Sequence, residues 1–407
     1  MAELRQDADP GEAGLDPKAL NRLDQHFARL VDEGRLPGHL VCVARGGRVA
    51  HLTAYGHRDR AAGLPVGTDT LWRIYSMTKP VTAVAVLLLV EEGRLSLDDP
   101  LERHLPAFTQ PRVHTGHSGA DPRTRPADGP VLIRHLLTHT AGLTFGFYRS
   151  HPVDALYREA GLEYSVPPGK DLAETVEVYA GMPLQFDPGT QWNYSVASNV
   201  LGRVIEVVSG RPLDEFFAER ILRPLGMTDT GFHIGDEQAC RLAELYGETE
   251  AGGIAPTPGP PVRGRPLLLS GSGGLVASAG DFHRFMEMLR RGGELDGTRL
   301  LSPGTVALMT RNQLPDAAQL DSFGAPVHQG RSNAGLGFGF NVSVVVDPAR
   351  TPAPTSPGTY GWTGVATTAF WVAPAHDLTV QFMTQVRPKN LKVFPDLRRL
   401  VHGALLD

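Results

Sequence analysis

Ser76-Met77-Thr78-Lys79 is the stretch of sequence from which both the fold and the chemistry are predicted. It follows the segment Leu71 to Tyr75 and precedes an apolar run, Val81 to Val90, which is typical of a buried helix. Because residues three apart lie on one face of a helix, we expect the Lys79 amine to lie over the Ser76 hydroxyl. A lysine whose pKa is lowered by burial can activate a serine. The stretch predicts nucleophilic catalysis, and the alternative is that Ser76 simply caps the helix.

Size and composition indicate a globular protein that does not bind nucleic acid. The chain has 407 residues, which allows two lobes. Its net charge of -5, without any block of like charge, argues against a nucleic-acid face. The first residues are polar, unlike a signal peptide, and the longest apolar run, about ten residues, is too short for a membrane span. Two cysteines, Cys42 and Cys240, make a disulfide framework unexpected. We therefore expect a soluble, cytoplasmic protein.

The order of the predicted elements indicates an α/β (α+β) fold. Strand patterns occur at both ends of the chain, and helical patterns dominate between them. The terminal elements are a helix after Asp16-Pro17, strands His39 to Ala44 and Val49 to Ala54 with a turn at Gly46-Gly47, strands Phe338 to Val346, Ala366 to Val372 and Leu378 to Thr384, and a closing helix Leu397 to Leu406. Segments 108–128 and 251–266 are rich in Gly and Pro and are predicted to be loops.

This order predicts an antiparallel sheet flanked by N- and C-terminal helices, with a helical domain inserted. The predicted α/β domain is discontinuous and comprises residues 1–109 and 266–407. The predicted helical domain comprises residues 110–265, and the active site is expected between the two.

A second cluster, Gln191-Trp192-Asn193-Tyr194-Ser195, precedes a predicted helix. A tyrosine at the start of a helix can face a cleft. Beside Lys79 its phenol is expected to be held partly ionised, so that it acts as general base for Ser76 and then as acid for the leaving group. The alternative is a buried tyrosine with a hydrogen-bonded hydroxyl.

A third cluster, Tyr360-Gly361-Trp362-Thr363-Gly364-Val365, precedes a predicted strand. Its glycines allow the backbone to approach a ligand closely, and the N–H that follows Gly364 can contribute to an oxyanion hole. An ordinary turn before a strand explains the same residues equally well.

In combination, the three clusters resemble those of the serine β-lactamase-like superfamily, which includes class C β-lactamases, DD-peptidases and family VIII carboxylesterases. The resemblance extends over roughly residues 16 to 385. Further similar segments are Glu91 to Pro100, Leu136 to Leu143, Pro224 to Met227 and Gly271 to Ser278.

The resemblance implies a role for each matching residue. Ser76 is similar to the acylated nucleophile, Lys79 to its paired amine and Tyr194 to the tyrosine general base. The backbone N–H groups of Ser76 and Val365 would form the oxyanion hole. The residues expected to contact the substrate are Tyr75, Trp362, Thr363 and Gly364.

Two departures from the β-lactamase pattern favour an ester substrate. Tyr194-Ser195-Val196 lacks the asparagine of the Tyr-x-Asn motif, and Trp362 replaces the cation that begins the third motif. A substrate carboxylate would lose a charge-assisted partner at that position, about 2–3 kcal/mol. Family VIII carboxylesterases are similar in both respects. We therefore expect hydrolysis of esters with short acyl chains; a β-lactamase or D-amino-acid peptidase or amidase, an acyltransferase and a non-catalytic scaffold are the alternatives.

No metal or other cofactor is expected. Two histidine pairs, His135 with His139 and His114 with His117, have helical spacing, but no carboxylate or cysteine is placed to complete a site. The chain contains no Gly-x-Ser-x-Gly segment, so an α/β-hydrolase is not supported. The sequence leaves the oligomeric state open.

Overall fold

The computed structural model describes residues 4–118, 121–163, 169–250, 252–324, 333–387 and 393–406. Its strands are β1 (Gly38–Arg45), β2 (Arg48–Asp59), β3 (Leu64–Pro65), β4 (Leu71–Arg73), β5 (Arg112–Ser118), β6 (Asp121–Pro126), β7 (Tyr246–Glu248), β8 (Ile254–Pro256), β9 (Val276–Ser278), β10 (Glu294–Leu295), β11 (Thr298–Arg299), β12 (Leu336–Phe338), β13 (Ser343–Val345), β14 (Tyr360–Gly364), β15 (Thr368–Ala373), β16 (Leu378–Met383) and β17 (Val386–Arg387). Its α-helices are α1 (Pro17–Asp32), α2 (Thr78–Glu91), α3 (Ile133–Leu137), α4 (Pro152–Glu159), α5 (Leu172–Ala180), α6 (Ala197–Ser209), α7 (Leu213–Phe217), α8 (Asp236–Ala239), α9 (Ala279–Arg290), α10 (Pro303–Met309), α11 (Leu320–Phe323) and α12 (Val393–His402).

The main sheet joins strands from both ends of the chain. Its eight strands lie in the order β12-β13-β14-β15-β16-β1-β2-β3, and the pairings are antiparallel. The predicted turn at Gly46-Gly47 connects β1 to β2, and both glycines have positive φ, which favours residues without a Cβ. The predicted antiparallel sheet with flanking terminal helices is confirmed. The proposed domain boundaries stay a prediction.

The central strand β1 is buried on both faces of the sheet. Alternate residues of a strand point to opposite faces. Leu40 and Cys42 accordingly belong to the large core around α2, whereas Val41 and Val43 belong to a second core. Helices α1 and α12 cover this second face and supply, for example, Phe27 and Leu397. Burial on both faces explains why β1 is an uninterrupted apolar run.

Helix α2 is the central element of the larger core. Its residues from Thr78 to Leu89 are all buried, and it packs against α6. Gly93, just beyond its C-terminal end, has φ 68°, the left-handed conformation that ends helices. Among the described helices, none combines the length and apolar character that crossing a bilayer requires.

Four predictions about individual elements differ from the structure. Segment 108–128 contains the hairpin of β5 and β6, whose polar strands lack the alternation that indicates a half-buried strand. Segment 251–266 contains β8, which pairs with β7. The run from Phe338 to Val346 is two strands, β12 and β13, because Asn341 has φ 57° and turns the chain. The closing helix α12 also begins and ends four residues earlier than predicted.

Candidate active site

Ser76 lies in a tight turn between β4 and α2. Strand β4 pairs with β9, and residues Tyr75–Met77 form a single 3₁₀ turn that continues directly into the helix. Tyr75 has φ 45°, which is an unfavourable conformation for an aromatic residue. Strained backbone of this kind occurs preferentially at functional sites. The turn presents the Ser76 side chain at the N-terminal end of a buried helix.

Lys79 is the second residue of α2 and lies one turn after Ser76, as the spacing predicts. Its side chain is buried, and its Nζ atom is 3.3 Å from Ser76 Oγ. Nζ also donates a hydrogen bond of 2.8 Å to the Ser272 carbonyl oxygen. Burial lowers the pKa of Lys79 well below its usual value, because the charged amine loses its water. Burial therefore favours the neutral amine, whose lone pair can accept a proton.

Tyr194 is brought to the same oxygen from a distant part of the chain. Its hydroxyl donates a hydrogen bond of 2.8 Å to Ser76 Oγ. The centroid of the Tyr194 ring lies 5.4 Å from that of Phe145 and 4.9 Å from that of His139. Lys79 Nζ lies 4.6 Å from the centroid of the Tyr194 ring. Tyr194 is buried with a hydrogen-bonded hydroxyl, as in the alternative interpretation, but the partner of that hydroxyl is Ser76.

The expected ionisation of Tyr194 is not found. Burial raises the pKa of Tyr194 to about 12, although its hydrogen bond with Ser76 acts in the opposite direction. The phenol is therefore protonated near neutral pH and donates to Ser76. Because Ser76 Oγ accepts this bond, its own hydrogen is free to point to the neutral amine of Lys79.

The third cluster forms strand β14 itself and does not merely precede a strand. A Cβ atom at Gly364 would lie only 2.5 Å from the Ile74 carbonyl oxygen, so only glycine lets β14 approach the turn that carries Ser76. Val365 follows immediately, and its side chain is 48% exposed. Among the described residues, neither the Ser76 N–H nor the Val365 N–H has a hydrogen-bond acceptor. Both groups remain available to an oxyanion.

The other residues of this cluster form an apolar wall. The Trp362 ring lies 5.4 Å from the Tyr194 ring and 5.4 Å from the Phe338 ring. Its indole N–H is buried and meets no hydrogen-bond acceptor among the described residues. Thr363 is half-buried and pairs with Ala369 across the hairpin. Trp362 occupies the position at which the β-lactamase motif has a cation, and β14 contains no lysine, arginine or histidine.

Two buried asparagines that support the site were not predicted. Asn199 Oδ1 accepts hydrogen bonds from the Ser270 hydroxyl and the Ser272 N–H, and so fixes the loop whose carbonyl binds Lys79. Asn341 Nδ2 donates to the Lys79 carbonyl oxygen at 3.2 Å. In the sequence, Asn199 is a lone amide within an apolar helical pattern. An isolated amide in an apolar helix is the sequence signal from which Asn199 could have been predicted.

The histidine pairs serve local structure. His135 Nδ1 accepts the Leu132 N–H, and His139 Nδ1 lies 3.1 Å from Ser195 Oγ. His114 contacts the ring of His151, and the side chain of His117 lies outside the described residues. Within the described residues, no group of three potential ligands could hold a metal ion.

Comparison with known proteins assigns the family. The model of the Beta-lactamase family matches residues 23–404. The chain belongs to the Beta-lactamase family. Protein Rv1367c of Mycobacterium tuberculosis is 38% identical over 362 residues, covering 88% of each chain. Esterase EstB of Burkholderia gladioli is 35% identical over 393 residues, covering 92% of this chain and 93% of its own.

The solved structures agree with this assignment. EstCE1, described as a hydrolase with promiscuous acyltransferase activity, superposes with a TM-score of 0.80 at 29% identity, covering 96% of this chain and 99% of its own. The predicted family and the predicted fold class are both confirmed.

This Beta-lactamase family member departs from the Tyr-x-Asn pattern for a structural reason. Val196 is fully buried, and its N–H donates to the Thr144 carbonyl oxygen. The side chain therefore belongs to the core, and no amide extends from this position toward Ser76.

Proposed function

We propose that the chain is a serine carboxylesterase, similar to family VIII, that hydrolyses esters with short acyl chains through an acyl group on Ser76. The observation that carries the proposal is the contact of Ser76 Oγ with both Tyr194 and Lys79. The relatives EstB and EstCE1, named as an esterase and a hydrolase, support an ester substrate. The apolar Trp362 suits an uncharged acyl group. The cytoplasmic location stays a prediction.

In the proposed mechanism, neutral Lys79 accepts the Ser76 proton while Oγ forms a bond to the ester carbonyl carbon. The N–H groups of Ser76 and Val365 bind the developing oxyanion. When the C–O bond of the ester breaks, the Tyr194 phenol donates its proton to the departing alkoxide and regains one from Lys79. Water then attacks the acyl carbon while Lys79 accepts its proton; the bond from that carbon to Oγ breaks, Oγ takes the proton from Lys79, and the acid leaves. This scheme differs from the sequence-based expectation, in which Tyr194 was the base, because the phenol is protonated.

The proposal is tested by comparing 4-nitrophenyl butyrate, 4-nitrophenyl octanoate and the cephalosporin nitrocefin. We expect the highest kcat/KM for the butyrate and the lowest for nitrocefin. Faster turnover of nitrocefin, or of a D-amino-acid amide, would instead establish the lactamase or peptidase alternative. Absence of any phenol release would support a non-catalytic scaffold.

Acyl transfer is a second candidate that uses the same residues. It is favoured by the description of EstCE1, which covers nearly the whole chain. The measurement is product analysis with 1-butanol added to the ester. Butyl ester formed in a Ser76-dependent manner would establish transfer, and free acid alone would leave hydrolysis as the reaction.

A further inference from the structure

Two arginines lie near Tyr75, the residue that precedes Ser76, and they lack carboxylate partners. Neither Arg73 nor Arg387 forms an ion pair within the described residues. The carboxylate of Glu244, which is exposed, influences Arg73 only electrostatically. The surroundings of Tyr75 therefore carry an excess of positive charge.

Arg387 is anchored to the hairpin that carries Val365. The neighbouring Val386 N–H donates to the Ala366 carbonyl oxygen at 3.2 Å, and the Thr367 hydroxyl donates to the Val386 carbonyl oxygen at 2.8 Å. These bonds hold the start of the Arg387 side chain next to the segment that supplies the proposed oxyanion donor. Its guanidinium carbon lies 5.9 Å from the centroid of the Tyr75 ring.

Both side chains of this pair have polar atoms without partners. The Arg387 Nε–H and the Tyr75 hydroxyl are buried, and neither meets a hydrogen-bond partner among the described residues. Buried polar groups are normally paired, so an unpaired donor calls for an explanation. The two side chains are neighbours, and unpaired donors on neighbouring side chains, one of them cationic, suit an anion with oxygen acceptors.

Arg73 differs from Arg387 in how it is held. Its guanidinium donates to the Pro260 and Ala243 carbonyl oxygens, and its backbone is bound at both ends by the Gln385 side chain. Burial lowers the pKa of Arg73; the Tyr75 phenol and the Glu244 carboxylate act in the opposite direction, and the charge of Arg387 adds to the lowering. Arg73 thus contributes positive charge near Tyr75 but has its guanidinium engaged by carbonyl oxygens, whereas the Arg387 guanidinium has no hydrogen-bond acceptor among the described residues.

We propose that the Arg387 guanidinium and the Tyr75 hydroxyl form a subsite that binds a carboxylate carried by the ester substrate. The subsite rests on the proposed function, because it selects among esters that Ser76 cleaves. A planar guanidinium matches a carboxylate with two parallel hydrogen bonds, and the partly buried position strengthens them. Arg387 belongs to β17, whereas the missing cation belongs to the position of Trp362 in β14.

The test compares charged and neutral esters in the full chain. The charged esters are the 4-nitrophenyl monoester of glutaric acid, with the carboxylate on the acyl part, and 4-(butyryloxy)benzoate, with the carboxylate on the alcohol part. The neutral references are 4-nitrophenyl valerate and phenyl butyrate. The variants are Arg387→Met, which keeps the length of the side chain, and Tyr75→Phe, which removes only the hydroxyl.

For Arg387→Met we expect kcat/KM to fall about 10-fold or more for at least one charged ester, mainly through KM, and less than about 2-fold for its neutral reference. Tyr75 is expected to contact every ester, so Tyr75→Phe is judged only by the ratio of charged to neutral kcat/KM, which should fall by less than in Arg387→Met. The control is Arg48→Met, which alters an exposed arginine at the opposite end of the sheet. It should leave the ratio of kcat/KM between each charged ester and its neutral reference unchanged. In the wild type, added salt should reduce the preference for the charged ester.

Equal losses on charged and neutral esters, or no loss on either, would overturn the subsite while leaving the esterase intact. If the neutral esters themselves show no turnover that depends on Ser76, the proposed function and the subsite both fail. The two failures are therefore distinguishable within one set of rates.

Discussion

At Ser76, a single oxygen contacts an amine whose charged form is disfavoured by burial and a phenol that is protonated, and this pairing favours proton movement from Ser76 to Lys79. Lys79 donates a hydrogen bond to the Ser272 carbonyl oxygen, and the lone pair of its neutral form can accept the Ser76 proton. Tyr194, with a pKa of about 12, is protonated near neutral pH and donates its hydrogen bond to Ser76. The sequence predicted the three residues because each lies in a motif. It could not predict the protonation states, because these depend on burial in the assembled site.

The lysine assignment makes a prediction about stability and pH. The unfolded chain holds a proton on Lys79 up to pH about 10.4, and the native chain releases it at a much lower pH. Stability of the wild type should therefore rise with pH relative to Lys79→Met, by up to about 1.4 kcal/mol per pH unit between those values. Urea unfolding of both proteins at pH 7.5 and 9.5 measures this. A constant difference would mean that native Lys79 keeps its proton.

In the same variant, Lys79→Met, kcat should fall about 10²- to 10⁴-fold because the group that accepts the Ser76 proton is lost.

The role of Tyr194 as proton donor predicts a dependence on the leaving group. Tyr194→Phe removes the hydroxyl but keeps the ring among Phe145, His139 and Trp362. An alkoxide needs a proton to depart, whereas 4-nitrophenolate does not. We expect a loss in kcat of about 10²- to 10⁴-fold for ethyl butyrate and a clearly smaller one for 4-nitrophenyl butyrate. Equal losses for the two esters would assign Tyr194 to another step.

At the scale of elements, the site depends on strand β14 lying directly against the turn before α2. The sequence indicated its glycines but not its strand character, because Tyr360–Gly364 is short and interrupted by two glycines. Helix α2 was predictable from its apolar run, which reflects burial on all sides. The β5–β6 hairpin was not, because its strands pair with each other and bury few side chains.

The close approach of β14 predicts the effect of one added methyl group. In Gly364→Ala, the Cβ would meet the Ile74 carbonyl oxygen and Thr368 Oγ1, so β14 must move away from Ser76. We expect a cost of about 1–3 kcal/mol in unfolding free energy and a fall in kcat of at least about 10-fold. Gly304→Ala in α10 is the control, since its Cβ would meet nothing closer than 3.9 Å. Full activity in Gly364→Ala would show that the contact is not required.

At the scale of the whole molecule, the sheet separates two cores with different tasks. The core around α2 holds the site, and the other core joins α1 and α12 to the back of the sheet. The apolar run of β1, typical of a strand covered on both faces, and the amphipathic pattern of α1 are consistent with this layered arrangement. The supporting amides Asn199 and Asn341 were not, because only the packed fold brings them to Lys79 and its loop.

The separation of the cores predicts that stability and catalysis can be changed independently. Leu397→Ala removes a fully buried side chain from the core behind the sheet and should cost about 2–5 kcal/mol. The kcat of the protein that remains folded should be unchanged, since no catalytic group touches this core. Leu406→Ala, which alters a largely exposed residue, should change stability by less than about 0.5 kcal/mol. A reduced kcat in folded Leu397→Ala would show that the two cores are coupled.

The central claim is that Ser76 is the nucleophile, and intact-mass analysis after reaction with a fluorophosphonate tests it most directly. The wild type and Ser209→Ala, a control at the C-terminal end of α6, should each gain the mass of one adduct. Ser76→Ala should gain none while unfolding at a similar temperature. An adduct on Ser76→Ala, formed at the rate of the wild type, would contradict the account.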